Sequence, residues 1–264
     1  MYNFFIENDG VLTDGYKIIG KDYNHIKNVL RMKSGEDLLV TLNGKSDLCC
    51  ITNISDSEII VKVIKPDYQC TELPISITLF QGIAKGEKME LVIQKAVELG
   101  ASEIVPVEMK RCIAKIEKNK AKQKTERFNL ISESASKQSK RNVIPKVKEP
   151  LSYAEMLSYA KDFDLLIVPY ECADGMTATV NALNEIKRGY KIGVLIGSEG
   201  GFDDSEIEKA KTLPNARIIS LGKRILRTET ASITALSLIM LHAESYLKTY
   251  KKRLDFKPFF ILIL

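Results

Sequence analysis

Two short loops hold the residues of this chain best suited to binding and chemistry. The first is Gly197-Ser198-Glu199-Gly200-Gly201. The second is Leu221-Gly222-Lys223-Arg224-Ile225-Leu226-Arg227-Thr228, and Glu229-Thr230 opens an apolar stretch directly after it. Three glycines in five residues let a backbone turn sharply and bring its amides close to a ligand. The same run also suits a tight turn that binds nothing. Arg224, Arg227 and Glu229 stand beside these backbone-rich loops, which could hold a nucleoside by backbone hydrogen bonds. Ile225 and Leu226 offer apolar surface to a nucleobase. Thr228 or Glu229 equally suits a helix cap, and that role does not exclude the first.

Several common chemistries are disfavoured. There is no GxxxxGK[ST] run, GSEGG is not GxGxxG, and no Gly-x-Ser-x-Gly elbow occurs. The chain has two histidines, His25 and His242, so a hydrolase triad or histidine-rich metal site is a poor expectation. Its five cysteines (Cys49, Cys50, Cys70, Cys112, Cys172) form no CxxC pair, which argues against zinc and against a disulfide framework. A reduced, cytoplasmic protein without bound metal is expected.

The elements that must position the loops follow from pattern. Val194 to Ile196 reads as the end of a buried strand leading into GSEGG. Asp203 with Glu206 reads as a capping box opening a helix, and Ala216 to Ser220 as the strand before the second loop. Both loops therefore leave the carboxyl ends of strands, where open α/β sheets bind ligands. Upstream, strands at 75–81, 104–107, 163–169 and 191–197 alternate with helices at 88–99, 115–140 and 177–188, and Ser152 with Glu155 forms another capping box. This argues for an α/β domain with a mainly parallel sheet. Residues 1 to about 70 read differently. Strands at 2–6, 38–42, 48–54 and 58–64, the Asn43-Gly44 hairpin turn, and a short helix at 22–31 with Ile26, Val29 and Leu30 inward suggest a small β-barrel. Lys65-Pro66 to Pro74 reads as a linker. Domains at 1–72 and 73–250 and an apolar tail at 251–264 are expected. The tail is too short to span a bilayer, so no membrane partner is expected.

At 264 residues and 45% hydrophobic content, the chain can bury a real core. Its charge is uneven. Residues 110–148 hold thirteen Lys/Arg and three Glu, a net of +10, while the whole chain is +5 and the remainder therefore −5. Such a band suits a polyanion, although a solvated helix face looks the same.

IGSEGGF followed by SLGKRILRTETA resembles the cofactor signature of the RsmE family, SPOUT-class methyltransferases that act on 16S ribosomal RNA. KGEKMELVIQKAVELG, EIVPVEMKRCIAK and SASKQSKRNVIP stand in the family's order, and the resemblance spans about Tyr2 to Leu247. It implies a PUA-like β-barrel followed by an α/β domain with a C-terminal trefoil knot, and a homodimer. It implies S-adenosylmethionine as methyl donor, held by Leu166 and Pro169, by Ile196, Gly197, Glu199, Gly200 and Gly201, and by Leu221, Gly222, Ile225, Leu226, Arg227, Thr228, Thr230 and Ala231. The implied product is 3-methyluridine in the small-subunit RNA. On that reading Arg227 or Arg224 stabilises the uracil anion and Glu229 accepts its proton. Lys85, Lys88, Lys110, Arg111, Lys115, Gln138 and Arg141, within a basic cluster at 137–141, are the RNA contacts. The family usually has proline where this chain has Ser198. A ribose 2′-O-methyltransferase of the same class, or a non-catalytic RNA-binding assembly protein, are the alternatives.

Overall fold

A computed structural model describes residues 1–171 and 175–247. The tail at 251–264 lies outside the described residues. The N-terminal part is a five-stranded sheet of β1 (Asn3–Phe5), β2 (Gly15–Ile19), β3 (Asp37–Leu42), β4 (Lys45–Ile54) and β5 (Glu58–Gln69), in the order β1-β3-β4-β5-β2. Strands β3 and β4 join through Asn43 (φ 49°) and Gly44 (φ 81°), the left-handed pair that a two-residue hairpin needs. Helix α1 (Gly20–Asn24) passes into a wider turn over His25–Leu30. That change of winding leaves Ile26 buried but turns Val29 out to 63% exposure, so Val29 does not point inward as its spacing predicts.

Strand β5 also corrects the expected linker, because it continues through Pro66 to Gln69. Proline has no N–H for a ladder, and the pairing accommodates it by a register shift between Ser46 and Leu48, where Asp67 takes φ 46° and donates its N–H to Asp47 Oδ1 at 2.8 Å.

The second part is a seven-stranded sheet with every pairing parallel. In chain order it comprises β6 (Ser76–Gly82), α2 (Glu87–Glu98), β7 (Glu103–Glu108), α3 (Lys118–Ser139), β8 (Lys146–Val147), β9 (Leu151–Ser152), α4 (Tyr153–Ala160), β10 (Leu165–Pro169), α5 (Thr177–Asn184), β11 (Lys191–Ile196), α6 (Asp204–Lys211), β12 (Ala216–Ile219) and α7 (Thr228–His242). The strand order is β12-β10-β11-β6-β7-β8, with β9 also beside β7. Period-two alternation sorts side chains into two cores. Leu165, Ile167, Ile192 and Val194 meet α2, α3, α5 and α7 on one face. Leu166, Val168, Leu195 and Phe80 meet α4 and α6 on the other. Because β11 lies on one side of β10 and β12 on the other, the chain reverses direction across the sheet at β10. A crevice opens at the carboxyl ends there. Both predicted capping boxes are present, at Ser152/Glu155 and at Asp203/Glu206. Among the described residues no helix is long and apolar enough to cross a membrane.

The two sheets meet at the end of α3 through buried hydrogen bonds. Arg141 is 2% exposed and forks onto Glu72 through Nε (2.8 Å) and Nη2 (2.6 Å). Its Nη1 donates to the carbonyls of Val97 (2.6 Å) and Ala101 (3.0 Å). Asn142 donates to Ser46 Oγ and to the Gln69 carbonyl and accepts from the Thr71 N–H, while Asn3 donates to the Arg141 carbonyl. Lys137 is held by Asp22 at 2.7 Å and Glu133 at 2.9 Å. Arg141 is therefore not an RNA contact: its guanidinium is consumed inside the protein, and Lys137 is similarly engaged. Replacing Arg141 with alanine removes four hydrogen bonds, two from Glu72 and one each from the Val97 and Ala101 carbonyls, and should cost about 3 kcal/mol in a urea unfolding curve. An exposed RNA-binding arginine would cost almost nothing there.

Candidate active site

The crevice is a cleft of about 430 Å³ formed where β10, β11 and β12 end. Its first wall is the loop after β11. Gly197 to Gly201 lines it, and Ser198 and Gly201 pair with each other to close the turn. The turn packs closely against its neighbours at Gly200 and against Gly82. A Cβ on Gly200 would lie 2.7 Å from the Arg111 carbonyl, and one on Gly82, at the end of β6, would lie 2.5 Å from the Ser198 nitrogen. Ser198 Oγ donates to the Arg111 carbonyl at 2.9 Å, a bond that a proline in its place would not make.

Glu199 is anchored rather than loose. Its Oε1 accepts the Lys85 N–H at 2.8 Å and faces Lys88 Nζ at 3.5 Å, and its Oε2 is buried without a protein partner. Burial works against its ionisation, but the N–H groups of Lys85 and Glu199 itself and the Lys88 ammonium outweigh burial. Its carboxyl lies below the usual carboxylate range. The wall continues into α6, where the Ser205 hydroxyl and Lys110 hold the Asp203 carboxyl down at about 2.

The opposite wall is the loop after β12. Leu221, Gly222, Arg224, Ile225, Leu226 and Arg227 line it, followed by Thr228, Glu229 and Ala231 at the start of α7. No side chain caps α7: Arg227 occupies the N-cap position in an extended conformation. Neither Thr228 nor Glu229 therefore serves as the cap. The Thr228 hydroxyl donates to the Gly197 carbonyl at 2.6 Å and accepts from Gln81, which turns it away from any ligand. Glu229 Oε2 is buried with no partner, the second such carboxylate oxygen in this cleft. The arrangement offers close-packed backbone, two carboxylates with a buried unpaired oxygen each, and two exposed arginines at one mouth. It suits a polar organic ligand with cationic or hydroxyl donors, beside a second substrate that loses a proton.

The sequence profile of a family described as an RNA methyltransferase domain matches residues 71–240, and one described as an RNA methyltransferase PUA domain matches residues 18–64. A Bacillus subtilis protein named ribosomal RNA small subunit methyltransferase E is 34% identical, with 87% of this chain and 91% of that one aligned. The chain belongs to the ribosomal RNA small subunit methyltransferase E family. A Mesomycoplasma hyopneumoniae member is 36% identical over 90% of this chain and 98% of its own. The structure of the Neisseria gonorrhoeae member, bound to S-adenosyl methionine, superposes with a TM-score of 0.75 at 28% identity and covers 91% of this chain and 97% of that one. The fold is thus α/β, with a PUA-type N-terminal domain and a methyltransferase domain built on a parallel sheet.

Against that family background, the expected site residues separate into groups. Pro169, Ile196 and the residues of both loops face one cleft. Leu166 does not: it is fully buried one layer below, against Phe80, because its side chain points to the α4/α6 face. Thr230 lies on the solvent side of α7, outside the cleft lining. Lys88 sits on the cleft rim, paired to Glu199. Lys110 is exposed but caps α6 through Asp203 at 2.9 Å. Lys85, Arg111, Lys115 and Gln138 are exposed. Sequence reasoning missed Gln81, Gly82, Tyr170, Glu171 and Phe202. Tyr170 and Phe202 pack edge to face with ring centres 6.3 Å apart and line the cleft. Their positions, one residue past a strand end and one past GSEGG, were the available signal.

Proposed function

We propose that this protein transfers a methyl group from S-adenosylmethionine to N3 of a uridine in the 16S RNA of the small ribosomal subunit, as a cytoplasmic homodimer. The observation that carries the reading is the coincidence of one cleft with both signature loops, in a chain a third identical to family members over most of its length. The cleft fits the donor chemically. The unpaired Glu199 Oε2 can accept from a ribose hydroxyl or an ammonium group, and Ile196, Leu221 and Leu226 offer apolar surface to adenine. When bound, the donor supplies an electrophilic methyl group on a sulfonium.

The chain's own residues do the rest. Uracil N3 carries a weakly acidic proton, and its lone pair attacks only once that proton is lost. Glu229 Oε2 receives it, and Arg227 and Arg224 stabilise the charge spread over the uracil carbonyl oxygens. The close-packed loops hold nitrogen and methyl in line. We assign residues 1–72 to the PUA-like RNA-binding unit and 73–250 to the methyltransferase unit. We infer that the segment after β12 threads to form a trefoil knot. Dimerisation is supported by apolar surface on and beside α7: Leu241 is 61% exposed and Tyr246 68%.

RNA docking should follow Lys85, Arg111 and Lys115. Changing all three to glutamine should flatten the dependence of log affinity on log salt by about 2 to 3, if each neutralises one phosphate. A filter-binding salt titration measures this, and an unchanged slope would remove them from the interface. The function itself is tested with labelled donor, unmodified small subunits and nucleoside mass spectrometry. Label in 3-methyluridine is the expected result, and label on a ribose would overturn the base assignment.

A further inference from the structure

We propose that Gln81 is the positioning residue that sets the spacing between the two donor-binding loops, a role that rests on the donor site assigned above. Gln81 is fully buried at the carboxyl end of β6, and no ligand contact is available to it. Its Nε2 donates to the Thr228 hydroxyl at 2.9 Å and to the Gly82 carbonyl at 2.9 Å. Its Oε1 accepts the single hydrogen of the Ser232 hydroxyl at 2.5 Å, for which the Thr228 carbonyl at 2.8 Å is a competing acceptor. The Thr228 hydroxyl donates in turn to the Gly197 carbonyl at 2.6 Å.

The direction of the two bonds at the Thr228 hydroxyl is fixed. A hydroxyl has one hydrogen, and an amide N–H pointing at its oxygen leaves that hydrogen free to serve the carbonyl opposite. Gln81 thereby orients Thr228, and Thr228 pins the first residue of the glycine loop to the first turn of α7. The two walls of the cleft are 31 residues apart in sequence and are locked together by a residue 147 positions upstream of Thr228. Buried networks with every member satisfied hold one geometry, and removing a member releases the others. An apolar side chain of the same length would fill the space but leave Thr228 free to rotate, so the loops would lose their mutual spacing.

The test is calorimetric titration with S-adenosylmethionine, beside RNA affinity and steady-state kinetics. Gln81→Met and Thr228→Val should each bind the donor about tenfold more weakly, a change of about 1.4 kcal/mol. Thr228→Ser keeps the hydroxyl and should stay within about threefold of the parent. The KM for donor should rise while RNA affinity holds within about twofold, which a general loss of structure would not produce. Parental donor affinity in Gln81→Met overturns the proposal, as does a Thr228→Ser protein as weak as Thr228→Val. If Gln81→Met gives no cooperative melt, the Thr228 pair decides. A parent with no saturable heat overturns the donor reading and this proposal together, whereas equal affinities in parent and variants overturn this proposal alone.

Discussion

Replacing Glu229 with glutamine is expected to lower kcat for methyl transfer about 10²- to 10⁴-fold, the range for loss of one positioned proton acceptor. Glutamine keeps the shape and one carbonyl oxygen but cannot take a proton from uracil N3. The structure removes the competing explanation, because Glu229 does not cap α7 and its Oε2 is buried without a partner. A buried carboxylate oxygen left unpaired is costly, so it belongs at a position where a substrate completes it. Single-turnover rates at saturating donor and RNA are the measurement, with donor affinity from calorimetry alongside. A rate within threefold of the parent would leave Glu229 a structural residue and transfer the proton-acceptor role elsewhere.

Gly82→Ala is expected to lose more than tenfold in donor affinity and to melt about 2–12 °C lower. The added methyl would sit 2.5 Å from the Ser198 nitrogen, 2.8 Å from the Gly197 carbonyl carbon and 2.8 Å from Met109 Sδ. Two of these three are backbone, and backbone has little room to give. Strands β6 and β11 are paired up to Gln81 and Ile196, so relief requires peeling their ends apart or displacing GSEGG. Overpacking of this kind typically costs about 1–3 kcal/mol, which for a chain of this size corresponds to about 2–4 °C per kcal/mol. The affinity loss comes from the displaced loop. Thermal melts with and without donor separate the two effects. A variant with parental melting and parental affinity would show that the close approach has no bearing on the site.

What was legible in the sequence was local. Asn43-Gly44, the capping boxes at Ser152 and Asp203, the continuous apolar run of β10 and the glycines after β11 each carry their signal within a few residues. Cooperative packing then makes that signal true. The errors arose where the deciding partner was distant. Arg141 looks like any other member of a basic run until Glu72, Val97 and Ala101 are brought around it. Thr228 suits a cap or a ligand until Gln81 and Gly197 claim both sides of its hydroxyl. Leu166 and Pro169 share one strand, and only the sheet's two faces tell which reaches the cleft. The proline in β5 argued for a linker because a bulge that absorbs it cannot be read from one strand alone.

The separations that hid these roles also govern how the protein is made. The cleft joins Lys88, Tyr170, Gly197 to Phe202 and residues between Leu221 and Ala231, and Ser76 pairs with Lys191 across more than a hundred intervening residues. Loop closures of that length are entropically unfavourable before any contact rewards them, so such sheets assemble slowly. On a nascent chain emerging amino end first, the N-terminal sheet and its Asn43-Gly44 hairpin are complete long before α7 is synthesised. The cleft therefore forms late, and a chain interrupted before Ala231 lacks part of its second wall.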